Sequence, residues 1–193
     1  MNKIELSNKY SIWKSKFESK YSKDEFLKFV EINNKLSTHT NNNSVWMEIQ
    51  TEVFGEVNKF IKESIENISN KKFCNYAEHY WIYRQTNGFN MEWMHQHLLV
   101  HPQNRSTILT DYTFTYYIQT PTDISEDEGC IVFEDENKNR HKFLPTEGDV
   151  FIFPADIRHT AIPTPNSKLD RIVYAGSLCI DIENQIDGTK NII

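Results

Sequence analysis

The stretch Gly148-Asp149-Val150-Phe151-Ile152-Phe153-Pro154 constrains the fold of this 193-residue chain more than any other. Gly-Asp is turn chemistry, and the short apolar run after it reads as a buried strand. Proline cannot donate to a sheet ladder, so the strand ends at Pro154 or lies at an edge there. That places His159 in the following loop or at the start of the next strand.

Similar segments surround this one. Residues 77–84 (AEHYWIYR) are rich in strand-forming aromatics, Asn87-Gly88 marks a turn, and 113–120 (TFTYYIQT), 129–134 and 171–180 read as further strands. Short strands with turn signals and no helices between them predict an antiparallel sandwich or barrel over residues 73–193.

The first third has a different period. Trp13, Phe17 and Tyr21 recur at i+4, and Ser22-Lys23-Asp24-Glu25 is a capping-box pattern just before Phe26, Leu27, Phe29 and Val30. One helix is expected to stop near Ser22 and another to start there. Residues 39–43 form a polar linker, and Ser44 is a candidate N-cap for a long amphipathic helix. Its buried stripe would be Trp46, Ile49, Val53, Val57, Phe60, Ile61, Ile65 and Ile68. Residues 1–72 are therefore expected to form a helical layer on the sheet, within a single domain spanning 1–193.

A net charge of −6 gives no general attraction to nucleic-acid phosphates or anionic lipid. Lys14, Lys16, Lys20, Lys23 and Lys28 are interspersed with Glu18, Asp24, Glu25 and Glu31, as on a solvated face. No segment approaches the roughly 20 apolar residues of a membrane span, and the first residues lack an apolar leader pattern. A soluble, cytoplasmic protein is expected. Cys74, Cys130 and Cys179 have no C-x-x-C spacing and read as reduced thiols rather than a disulfide framework or zinc site.

His95-Gln96-His97 carries the chemistry. Side chains on an extended strand repeat every second residue, so both rings share a face, and imidazole is a ligand for Fe, Zn, Cu and Ni. With the distant His159 and the downstream guanidinium of Arg171, the pair makes a candidate metal and carboxylate site. His79, His101 and His141 read as surface or structural residues.

The order Tyr83, His95-x-His97, the aromatic strand at 114–118, Gly129-Cys130-Ile131-Val132-Phe133, Gly148 to Pro154, His159 and Arg171 resembles the iron(II) and 2-oxoglutarate-dependent dioxygenases, in their prolyl-hydroxylase-like branch. The match covers roughly the C-terminal two thirds. The resemblance implies a double-stranded β-helix (jelly-roll) core with Fe(II) held by His95, His97 and His159. It implies that Arg171 binds the far carboxylate of 2-oxoglutarate, assisted by Tyr83 and Tyr117, and that O2 is used to hydroxylate a protein or small-molecule substrate. The chain departs from the family at His97, where a carboxylate is usual. Three neutral imidazoles leave a more positive metal centre. Glu92 and Asp111 are off the spacing that would restore the acid, and His101 is an alternative third ligand. A cupin, working as a metal-dependent dioxygenase or isomerase without 2-oxoglutarate, fits the same residues but gives Arg171 no task. A jelly roll can also be a non-enzymatic binding module.

Overall fold

The computed structural model describes residues 1–36, 44–46, 52–71, 78–85, 93–97 and 111–178. Among these residues, strands in two antiparallel sheets are the commonest regular structure, with two helices. In chain order the elements are β1 (Asn2–Glu5), β2 (Ser11–Lys16), α1 (Lys23–Leu36), β3 (Ser44–Trp46), α2 (Glu52–Ser69), β4 (Glu78–Gln85) and β5 (Tyr112–Gln119), then β6 (Ile131–Glu134), β7 (Arg140–Phe143), β8 (Asp149–Pro154), β9 (Arg158–Ala161) and β10 (Arg171–Leu178). The larger sheet runs β1-β2-β8-β5-β10-β4-β3 and the smaller β7-β6-β9.

Two-residue alternation sorts the central strands of the larger sheet into two cores. Phe114, Tyr116 and Ile118 of β5, Val150 and Ile152 of β8, and Ile172, Tyr174 and Leu178 of β10 face one way, with Ile82 of β4. They bury Phe26 and Val30 of α1 and Phe54, Val57, Ile61 and Ile65 of α2. The intervening residues Tyr117, Phe151, Phe153 and Val173, with Tyr83, join Ile131 and Phe133 of β6 in a second core. The larger sheet is thus buried on both faces, which explains why 150–153 is an unbroken apolar run.

The capping box at the start of α1 forms: the Ser22 amide donates to Glu25 Oε2 at 2.7 Å, and the Glu25 amide to Ser22 Oγ at 3.4 Å. The helix expected before it does not. Residues 11–16 are β2, pairing Trp13 with Ile152. A spacing of four is shared by the two periods, since i and i+4 also lie on one face of a strand, and hydrogen bonding to β8 decides between them. The helix expected from Ser44 starts later, at Glu52, because Ser44–Trp46 pairs with β4 and places Trp46 opposite Trp81. Strands from the first 72 residues therefore extend the sheet, and the layer boundary expected near residue 72 does not divide it.

Lys14 and Lys16 both pair with the buried Asp149, at 3.0 and 3.2 Å, and Lys20 with Glu56 at 3.3 Å, so these lysines are matched with acids. Cys130 is a buried free thiol; Cys74 and Cys179 lie outside the described residues. No described helix is long and apolar enough to cross a membrane.

Phe54 packs against Tyr174 in a tilted pair at 4.4 Å between ring centroids and meets Phe26 and Phe29 edge-on, while Phe60 is only half-buried. Phe54→Ala is expected to cost about 3–5 kcal/mol and Phe60→Ala distinctly less. Urea denaturation of the two variants checks the order, which reverses if Phe60 is the principal anchor of α2.

Candidate functional site

The histidines meet where the two sheets face each other. Residues 93–97 lie alongside β9: the His95 amide donates to the His159 carbonyl at 2.9 Å and the His159 amide to the His95 carbonyl at 2.8 Å. The His97 amide donates to the Ala155 carbonyl at 3.0 Å. Because His95 and His97 share a parity, this pairing turns both rings toward His159. One nitrogen from each of the three rings lies within 4.8 Å of the others.

The protonation of two rings follows from their partners. His159 Nδ1 is 3.1 Å from the Ile157 carbonyl and His95 Nδ1 is 3.4 Å from the Trp93 carbonyl. A carbonyl only accepts, so each Nδ1 carries the hydrogen and each Nε2 keeps its lone pair, the usual arrangement behind a metal ligand. Burial, and next the charge His95 would carry, hold His97 down at about 4. Burial also lowers His95, and His159 is lowered well below its ordinary value by burial and then by the other two imidazoles. The cluster is neutral at pH 7, as metal ligation requires.

Arg171 opens β10 on the same inner face and is only 3 % exposed. Its Nη1 donates to the Gly129 carbonyl at 2.9 Å, its Nε has no hydrogen-bond partner, and among the described residues no carboxylate pairs with it. The acid beside it in sequence, Asp170, is committed to Arg84 at 2.6 Å. Gly129 has φ +75°, a conformation natural to glycine, in the turn that offers this carbonyl. The guanidinium lies 5.6 Å from the centroid of the Tyr117 ring.

Arg171 and all three histidines line one cavity of about 260 Å3, together with Tyr83 and Tyr117. Burial pushes the Tyr83 phenol up to about 12 and also raises Tyr117, in both cases against the pull of Arg171. Both phenols therefore keep their protons and can donate. Three neutral imidazoles suit a divalent first-row metal, and a buried guanidinium without a counter-ion suits a carboxylate ligand.

The sequence reading missed other lining residues. Trp81 packs on the His97 ring at 4.9 Å, and Thr113, Thr115 and the 72 % exposed Trp93 also line the cavity. Parity was the available signal, since 81 precedes Tyr83 by two and 113, 115 and 117 share a face. His141 bonds Asp135 at 3.2 Å, away from the cluster, and Asp111 does not join it. His101 and Glu92 lie outside the described residues, as does the side chain of His79.

No protein-family model matches the sequence, and no curated protein matches it. Solved structures do resemble it. A viral collagen prolyl hydroxylase from Paramecium Bursaria Chlorella virus-1 superposes with a TM-score of 0.60 at 12 % identity, over 88 % of this chain and 91 % of that one. The same viral enzyme as a 2OG complex gives 0.59 at 13 % identity, over 88 % and 97 %. A prolyl hydroxylase from Trichoplax adhaerens, in complex with a hypoxia inducible factor peptide fragment, gives 0.60 at 14 % identity, over 93 % and 87 %. At these identities the likeness is one of fold: the chain has the β-sandwich architecture of prolyl hydroxylases.

The neutral cluster sets a pH dependence for the metal-free protein. Below the ordinary histidine value of 6.5 the unfolded chain takes up protons that the folded His97, with its value near 4, does not. Stability therefore falls as pH is lowered through that window. Urea midpoints between pH 7 and 4 should fall for the parent and fall less for His97→Gln; parallel curves would contradict the buried neutral imidazole.

Proposed function

We propose that the protein is an oxygenase that couples oxidative decarboxylation of 2-oxoglutarate to hydroxylation of a substrate at a mononuclear Fe(II) centre, on a double-stranded β-helix core formed as one domain with its helices. One observation carries this reading: a three-imidazole cluster and a buried guanidinium without a carboxylate partner among the described residues share a single cavity. The solved prolyl hydroxylases of the same architecture, one of them a 2OG complex, support it.

In this reading His95, His97 and His159 hold the metal, and Arg171 pairs with the distal carboxylate of 2-oxoglutarate. When bound, iron would let O2 oxidise both 2-oxoglutarate and the substrate, one oxygen atom entering the C–H bond as a hydroxyl and the other entering succinate as carbon dioxide leaves. The chain's own part is binding, orientation and dryness. A guanidinium offers a planar fork to a carboxylate, and the protonated phenols of Tyr83 and Tyr117 donate to the same anion. Trp81 and Phe153, packed on His97 and His159, keep water from the imidazoles. The neighbour solved with a peptide extends the proposal to a peptide substrate entering past Trp93.

A cupin-type dioxygenase or isomerase without 2-oxoglutarate is the second reading, favoured by the neutral donor set. Arg171 decides between them. Arg171→Ala is expected to keep its metal and weaken 2-oxoglutarate binding by about 1–3 kcal/mol, the scale of a lost charge-assisted hydrogen bond. Calorimetry on the Fe(II)-loaded protein under anaerobic conditions measures this, and unchanged affinity selects the cupin reading. A folded parent that takes up no metal selects a non-enzymatic binding module.

The ligand assignment has its own test. His159→Ala should fold and lose stoichiometric iron. His97→Asp should retain more iron and more 2-oxoglutarate decarboxylation than His97→Ala, because aspartate restores a ligand and a charge. Iron bound equally by parent and His97→Ala, but lost in His101→Ala, would move the third ligand to His101.

A further inference from the structure

Gln85, the last residue of β4, is 1 % exposed, and neither its Nε2 nor its Oε1 makes a hydrogen bond among the described residues. A buried carboxamide with both ends unmet is costly, and folded proteins retain few such groups. Its position in the sheet suggests why it persists. In the pairing of β4 with β10 its Cα partner is Arg171, and directly opposed residues of antiparallel strands present their side chains on the same face. Along β4 that face is also the one of Tyr83 and Trp81, which line the cavity.

Gln85 is not isolated in this respect. Arg171 Nε, on the adjacent β10, is also buried without a hydrogen bond. Elsewhere at this end of the sheet the polar groups are matched. Arg84 Nε donates to Asp170 Oδ2 at 2.7 Å, and Gln119 Nε2 donates to the Asp170 carbonyl at 2.8 Å. The unmet atoms of Gln85 and Arg171 thus belong to one directly opposed pair.

We infer that Gln85, paired with the cavity-lining Arg171 though not itself part of the lining, is a further anion-binding residue, its side-chain amide donating to the carboxylate that Arg171 pairs with. The inference rests on the proposed function, with 2-oxoglutarate as the dianion. A carboxylate has more lone-pair positions than one guanidinium fork fills. A carboxamide adds a donor without adding charge, and its oxygen can accept the otherwise unmet N–H of Arg171. The arrangement also separates two roles that a second cation would confuse: Arg171 supplies the attraction, and Gln85 supplies direction.

The test compares the parent with Gln85→Met, a variant of similar length and volume that removes only the amide, and with Gln85→Glu. For each, metal content, the ligand-free urea midpoint and 2-oxoglutarate affinity by calorimetry on the Fe(II)-loaded protein are measured. Gln85→Met should keep its metal, unfold at higher urea than the parent because an unmet buried amide is gone, and bind 2-oxoglutarate about ten-fold more weakly. Gln85→Glu should lose binding more completely, since its carboxylate competes for Arg171 from within the protein. Unchanged affinity in Gln85→Met overturns the inference and leaves the functional reading standing. Weaker binding accompanied by a lower ligand-free midpoint overturns it too, because it makes Gln85 part of the scaffold. A parent that takes up metal but no 2-oxoglutarate removes the functional reading and this inference together.

Discussion

The alternation of side chains along β5, β8 and β10 is the constraint on which the rest of the structure depends. One period of two serves two purposes, with one set of residues burying α1 and α2 and the other closing the space between the sheets. A register slip of one residue in β10 would send Arg171 to the helical side and Ile172 to the cavity. The helices therefore do more than cover apolar surface. Tyr174 of β10 donates to Asn58 of α2 at 2.7 Å, which fixes the strand against the helix three residues after the guanidinium.

Against that apolar background the buried charge of Arg171 is an anomaly that stability alone does not explain. Removing a cation from water costs several kcal/mol unless it is paired, and here the partners are a carbonyl and the face of a tyrosine. Local rules broken without a structural return are characteristic of sites held ready for a ligand. The imidazoles show the same economy in another form: burial keeps them uncharged, so their lone pairs stay unprotonated.

Much of this was legible in the residues. The run 150–153, the aromatic strands and the turn signals predict the sheets because they depend on local pattern. The meeting of His95 and His97 follows from their spacing alone, while that of His159 required Pro154 to end its strand so that the next could begin beside them. Other features lay beyond pattern. Trp13, Phe17 and Tyr21 satisfy two periods at once, and only pairing with β8 makes 11–16 a strand. Ser44 has the chemistry of a helix cap, but an open edge of β4 claims it. That Arg171 has no counter-ion among the described residues is a property of three-dimensional neighbours, and no spacing in the chain announces it.

The histidines and Arg171 reach the cavity from different sheets. All three histidines are gathered by residues 155–159 at the edge of the smaller sheet, whereas Arg171 projects from the middle of the larger one. A molecule that held the metal with one end and the guanidinium with the other would bridge the sandwich like a rivet. Its binding energy would then oppose the sliding or parting of the sheets, a mechanical effect that neither a metal alone nor an anion alone could produce.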